Sequence, residues 1–229
     1  MIVGLGAGAV LLGGALHGAF HRNSPIFGAP ITRLSSSGRA VALTFDDGPN
    51  PRATPLILDA LKARNVHATF FILGRHAERW PDLVRRVADE GHAIGNHGYY
   101  HRKLHFKSPA YVRNDLTLGT RMIEQASGTR PTLFRAPHGF RSPWVTSIAR
   151  SLGQRTVGWS LGVWDSDRPG AEVIAERTVA GARPGSILLL HDGDGYDATG
   201  DRMQTADAVP MLVDRLLAQD YRFDLFNAA

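Results

Sequence analysis

The stretch AVALTFDDGP, residues 40–49, runs from uninterrupted apolar and β-branched residues into two adjacent carboxylates and a Gly-Pro turn. A short apolar run of this kind, bounded by a turn signal, predicts a strand buried on both faces with charge placed at its C-terminal end. Six further runs read the same way: VHATFFILG (66–74), HAIGNHG (92–98), PTLFRAP (131–137), RTVGWSL (155–161), SILLLHD (186–192) and YRFDLF (221–226). Between them lie amphipathic stretches. Trp80, Leu83, Val84 and Val87 follow at helical spacing around Pro81, and Val112, Leu116, Gly119, Ile123 and Ala126 repeat at steps of four and three. Val209, Leu212, Val213, Leu216 and Leu217 make a third stripe, with residues 53–64 and 171–183 less regular. Strand and helix in alternation predict an α/β fold, a distorted (β/α)7 barrel of parallel strands forming a single catalytic domain.

Parallel strands point one way, so their C-terminal ends meet on one rim. Asp46, Asp47, His97, Arg135, His191 and Asp192 all fall at or just past such ends. Side chains far apart in sequence are thereby expected to share one site.

Composition narrows the chemistry of that site. The 229 residues are 43% hydrophobic and 21% charged, which excludes disorder as the main character. Cysteine is absent, so thiolate nucleophiles, disulfides and sulfur-ligated zinc are excluded and any metal must sit on His and carboxylates. A net charge of +5, without a basic run or an aromatic-basic stripe, does not support nucleic-acid binding.

In NHGYYH (96–101), His97 and His101 stand four apart, so a helical turn or a compact loop brings both imidazoles to one face. With Asp47 they make a two-His, one-carboxylate set that leaves coordination positions open, the layout of a catalytic zinc. Alternation along a strand points Asp46 and Asp47 in different directions, leaving one for a metal and the other for a proton. Arg135, in FRAPHG (134–139), suits holding a carboxylate ionised. His191 ends an apolar strand and suits a proton donor, with Asp165 or Asp167 of WSLGVWDSD (159–167) as its partner. The HDGDG run (191–195) lacks the spaced ligands and terminal Glu of a calcium loop. Tyr99, Tyr100, Trp144, Trp159 and Trp164 are candidates for stacking on sugar rings.

TFDDGP, HGYYH, RAPHG, a Trp-Asp segment and LLHD, in that order, resemble the polysaccharide deacetylases, the NodB-homology domains of carbohydrate esterase family 4. The resemblance covers residues 39–226. It implies one divalent metal, usually Zn2+, and hydrolysis of the linear amide C–N bond of N-acetylglucosamine units in chitin-like, peptidoglycan or related glycans. Residue by residue, it implies Asp46 as catalytic base, with Asp47, His97 and His101 as metal ligands. Arg135 would hold Asp46 ionised, the His138 backbone N–H would stabilise the oxyanion, and Leu189 would line the acetyl pocket. His191, tuned by Asp165, would be the general acid. Three positions depart from the family: Gly98 stands where Ser or Thr is usual, His138 where Tyr is usual, and Trp164 precedes Asp165.

Residues 1–38 read differently. No Lys, Arg, Asp or Glu occurs from Met1 to His21, and residues 22–38 carry Pro25, Pro30 and Ser35-Ser36-Ser37-Gly38. This part is expected to be an apolar leader and linker, leaving a signal, a membrane anchor or a flexible leader open. The catalytic domain is then expected at 39–229, in the cell envelope or secreted, with a cytoplasmic location also open. An acetylated glycan is the expected partner. A deacylase of lipid-linked amino sugars and a non-catalytic glycan-binding relative are the alternatives; the oligomeric state is not legible.

Overall fold

The computed structural model describes residues 3–36 and 38–226. Strands β1 (Ala40–Asp46), β2 (Thr69–Ile72), β3 (Ala93–Asn96), β4 (Leu133–Phe134), β5 (Arg155–Thr156), β6 (Leu161–Gly162) and β7 (Ser186–His191) form one sheet in the order β5-β4-β3-β2-β1-β7-β6. Every pairing is parallel, and β8 (Arg222–Phe223) joins the start of β1. Helices cover the outer face in the expected places: α2 (Ala53–Lys62), α4 (Pro81–Asp89), α5 (Pro109–Ser127), α7 (Ala171–Gly181) and α8 (Met203–Leu217). Short helices α3 (Gly74–Arg79) and α6 (Val145–Ser151) complete that layer.

The run expected as one strand at 155–161 is two short ones, β5 and β6, which do not pair with each other. Gly158 lies in the break, and a Cβ there would come within 2.6 Å of Asn23 Oδ1. The barrel is therefore open along this seam. Residues from the N-terminal side fill it: Ile31 bridges to Val157 in parallel, and Arg33 bridges to Ser186 of β7 antiparallel.

The segment before residue 39, expected as a linker, lies against the barrel. Arg141, fully buried, donates through Nη2 to the Ser24 carbonyl at 2.6 Å and through Nη1 to the Gly28 carbonyl at 2.7 Å. A buried guanidinium needs acceptors, and here main-chain oxygens of the incoming segment take bonds from both of its terminal nitrogens. Residues 3–20 form helix α1 (Val3–Phe20). Among the described residues no helix is long and apolar enough to cross a membrane.

Alternation along the two central strands sorts the side chains. Val41, Leu43 and Phe45 of β1 and Leu188 and Leu190 of β7 pack against the helices, each contributing roughly 1.5–3 kcal/mol by burial. Ala42 and Ile187 face the barrel interior with Phe71, Leu133 and Val157. By the period of two, Thr44 and Asp46 share the interior side with Ala42, and Leu189 and His191 share it with Ile187. The register aligns Asp46 with His191 directly.

Candidate active site

Asp46, the last residue of β1, is nearly sealed from solvent, and its Oδ1 takes a 2.7 Å charge-assisted bond from Arg135 Nη1. Arg135 follows β4 and is completely buried. Its remaining contacts are the Thr44 hydroxyl at 2.9 Å, the Gly158 carbonyl at 2.9 Å and the face of Phe71 at 4.1 Å. The Asp46–Arg135 pair is thus a charge-assisted contact closed off from solvent, with the guanidinium fixed on several sides.

Asp47 leaves the strand in a left-handed conformation, φ 72°. Alternation alone would have separated the two carboxylates; this turn instead brings both to His97. Asp47 Oδ1 lies 3.3 Å from His97 Nε2 and 3.1 Å from His101 Nε2, while Asp46 Oδ2 lies 3.7 Å from His97 Nε2. Ligand atoms of Asp47, His97 and His101 all fall within 4.8 Å of one another, and all three residues are buried. The two imidazoles hold the Asp47 carboxyl well below its ordinary value, against burial, which pushes it up.

The geometry fits a bound cation. His97 Nδ1 donates to the Arg135 carbonyl at 2.9 Å, so the proton sits there and the Nε2 lone pair faces the cluster. Asp47 Oδ1 is buried without a hydrogen-bond donor, a state that a cation would satisfy. His101 is reached through a loop rather than a helix, with φ 56°.

Two supports for this cluster carried no sequence signal. His76 Nδ1 donates to the Asp47 carbonyl at 2.8 Å, and burial lowers its pKa to about 4, leaving it neutral. Asp115 of α5 accepts from the Tyr100 backbone N–H at 3.0 Å, and Asn96 Oδ1 accepts from Gly98 N at 2.9 Å. These two fix the loop that lacks a Ser or Thr at position 98. Gly98 has φ 78°, and a Cβ there would come within 2.4 Å of Asp115 Oδ2, so a side chain has no room.

Beside Asp46 on the neighbouring strand, His191 Nδ1 stands 2.9 Å from Asp165 Oδ1, and the His191 backbone N–H donates to Asp165 Oδ2 at 2.8 Å. Thr205 of α8 donates a third bond to Asp165 at 2.9 Å. Asp165, rather than Asp167, thus meets His191. Burial disfavours the imidazolium, but Asp165, followed by Asp47 and Asp46, outweighs it and raises His191 to about 9. Nε2 remains free toward the groove.

A groove of about 570 Å³ joins these parts, and Asp46, Asp47, His97, His101, His138, Leu189 and His191 all line it. Among the aromatics expected to meet sugar, Trp159 and Trp164 line it; Tyr99, Tyr100 and Trp144 do not. Trp144 instead donates to the Lys107 carbonyl at 2.9 Å. Tyr196, Phe20 and Phe140 line the groove without having been singled out by spacing. His138 sits at φ 59° in the turn Pro137–Gly139, and burial lowers its pKa to about 4.

The polysaccharide deacetylase family model matches residues 34–157. A peptidoglycan-N-acetylglucosamine deacetylase of Bacillus cereus is 39% identical over 83% of this chain and 87% of its own length. The chain belongs to the polysaccharide deacetylase family. A chitooligosaccharide deacetylase of a Bradyrhizobium species is likewise 39% identical, over 79% of this chain and 86% of that relative. The solved structure of the Bc1960 peptidoglycan N-acetylglucosamine deacetylase superposes with a TM-score of 0.79 at 34% identity, covering 85% of this chain and 89% of that one. The deacetylase relatives share the open parallel barrel, as the seven-strand expectation required.

Proposed function

We propose that this deacetylase is a divalent-metal enzyme, using Zn2+ held by Asp47, His97 and His101, that removes N-acetyl groups from N-acetylglucosamine units of a glycan. The observation that carries the reading is the convergence of those three buried residues beside the Asp46–Arg135 pair, with the His191–Asp165 pair in the same groove. When bound there, the ion supplies a Lewis acid and brings a water's pKa toward about 7. Relatives of this chain are named for peptidoglycan and for chitooligosaccharide, both glycans of N-acetylglucosamine.

The chain's own groups divide the remaining work. Asp46, held in place by Arg135, takes the proton of the attacking water as its oxygen bonds to the acetyl carbon. The His138 backbone N–H donates to the negative charge growing on the carbonyl oxygen. As the C–N bond breaks, the amine takes the proton from His191 Nε2, leaving acetate and a free amino sugar. An unprotonated amine leaves poorly, and each positioned proton transfer contributes about 10²- to 10⁴-fold. Leu189, 8% exposed on the groove floor, offers an apolar surface to the acetyl methyl.

Acetate release from chitooligosaccharide and peptidoglycan fragments tests the reading. Activity is expected to vanish with a chelator and return with zinc, and Asp46→Asn is expected to lose at least about 100-fold in kcat while keeping its metal. Chelator-resistant turnover would overturn the metal assignment. We also propose that the enzyme works in the cell envelope or outside the cell, where such glycans occur, which fractionation would check.

A further inference from the structure

We propose that Arg22 of the N-terminal segment and Lys103 of the loop after β3 form an anion-binding wall in the groove that selects glycans bearing carboxylate or phosphate on sugars beside the acetylated one. This deepens the deacetylase reading and rests on it.

Charge in the groove is the starting observation. Each carboxylate lining it is already engaged: Asp46 by Arg135 at 2.7 Å, Asp165 by His191 at 2.9 Å, Asp194 by Arg202 at 2.9 Å, and Asp47 by the two histidines. Arg22 and Lys103 also line the groove, and among the described residues neither has a carboxylate partner. Each rests on an aromatic ring instead, Arg22 at 5.5 Å from Trp159 and Lys103 at 5.8 Å from Phe140. A ring face orients a cation without neutralising it, so both keep their charge for a ligand.

Their placement is built rather than incidental. Asn23 donates to the Trp159 carbonyl at 2.9 Å, and buried Arg141 grips the carbonyls on either side, at Arg22 and Ser24. A Cβ on Gly139 would lie 2.6 Å from Arg22 Cβ, so the segment is pressed against the turn that carries His138. Phe140, under Lys103, follows the same turn. Both cations therefore stand in the groove beside the turn that carries His138, within reach of a glycan bound there. Arg offers a planar fork to carboxylate or phosphate, and Lys a mobile point charge. A neutral N-acetylglucosamine chain has no group for either.

The test compares three oligosaccharides of equal length on the zinc-replete protein: neutral, carboxylate-bearing through an ether-linked acid, and phosphate-bearing. Calorimetric binding and initial rates are both read. The wild type is expected to bind at least one anionic ligand about tenfold more tightly than the neutral one at low salt, with the margin shrinking as salt rises. Which arm shows it identifies the anion. Lys103→Gln alone is expected to cut the anionic-to-neutral ratio of kcat/KM about threefold, and Arg22→Gln with Lys103→Gln to abolish it, with the loss in KM rather than kcat. Equal affinity for neutral and anionic ligands, or a preference that survives both substitutions, would overturn the proposal. So would an equal loss in Lys62→Gln, a cation outside the groove, because net charge would then explain it. Absence of acetate from all three ligands, with the binding preference intact, would strike the deacetylase reading and leave this wall standing.

Discussion

Asp165 holds His191 at two points at once: one carboxylate oxygen lies 2.9 Å from the imidazole Nδ1, and the other accepts the His191 backbone N–H at 2.8 Å. Ring and main chain are thus fixed by one carboxylate, and the free nitrogen is left in the groove that Asp46, Asp47, His97 and His101 also line.

This pairing sets a pH dependence with a definite sign. His191 is raised to about 9, above its ordinary 6.5 or so. Its proton-donating form is populated below that value and lost as pH rises through it, so kcat is expected to fall on the alkaline side. A bound cation opposes the share contributed by Asp47 and Asp46, which puts the limb of the loaded enzyme at or below about 9. Asp165→Asn removes the dominant favourable partner and is expected to move the limb toward neutral pH and to lower kcat. By linkage, the pair's contribution to stability is complete below about pH 6.5 and disappears as pH rises toward about 9. Rate profiles of both proteins from pH 6 to 10, spanning both values, check this; superimposable alkaline limbs would count against Asp165 as the tuning group.

Metal occupancy separates the ligands from the base. His97→Ala removes a proposed ligand whose tautomer is held by the Arg135 carbonyl. Its zinc affinity is expected to drop by more than the ~10- to 100-fold that loss of a supporting contact costs. Elemental analysis after dialysis against a buffered zinc series reads this directly, and a full complement of metal in that variant would remove His97 from the ligand set.

Gly119 sits where α5 crosses the loop that presents the histidines. A Cβ there would lie 2.5 Å from Asn96 Oδ1 and 2.9 Å from the Gly98 backbone. Gly119→Ala is expected to cost about 1–3 kcal/mol, because the backbone of that loop has to shift. It should also lower zinc affinity, through displacement of His97. Denaturant unfolding with and without zinc measures both effects; an unchanged midpoint would mean that the helix gives way instead.

Much of the site was legible in the one-dimensional pattern. Strands 40–47 and 186–192 announce themselves as apolar runs ending in Asp46-Asp47 and His191-Asp192, and parallel topology alone brings such ends together. The histidines of NHGYYH and Arg135 are legible for the same reason. What stayed hidden depends on contacts between distant residues. His76 under Asp47 is one, Asp115 closing the Gly98 loop another, and Thr205 on Asp165 a third. The separations are 29, 15 and 40 residues, and nothing local marks these side chains as partners.

The alternation rule for Asp46 and Asp47 failed for a related reason: Asp47, just past the end of β1, takes a left-handed backbone conformation that breaks the strand's alternation at its own side chain. The seam between β5 and β6 and its filling by residues 31–33 was likewise invisible, since the Pro- and Ser-rich segment has no periodicity to mark it as part of a sheet.

From the chain's order of residues alone came the fold class, the strand ends and the residue types able to bind a metal and move protons, because periodicity and turn chemistry are local. Only the folded molecule decided that Asp165 rather than Asp167 meets His191, that both carboxylates turn to His97, and that Arg22 reaches the groove. Those outcomes depend on which distant groups share a buried space, where each donor, acceptor and charge has to find a partner.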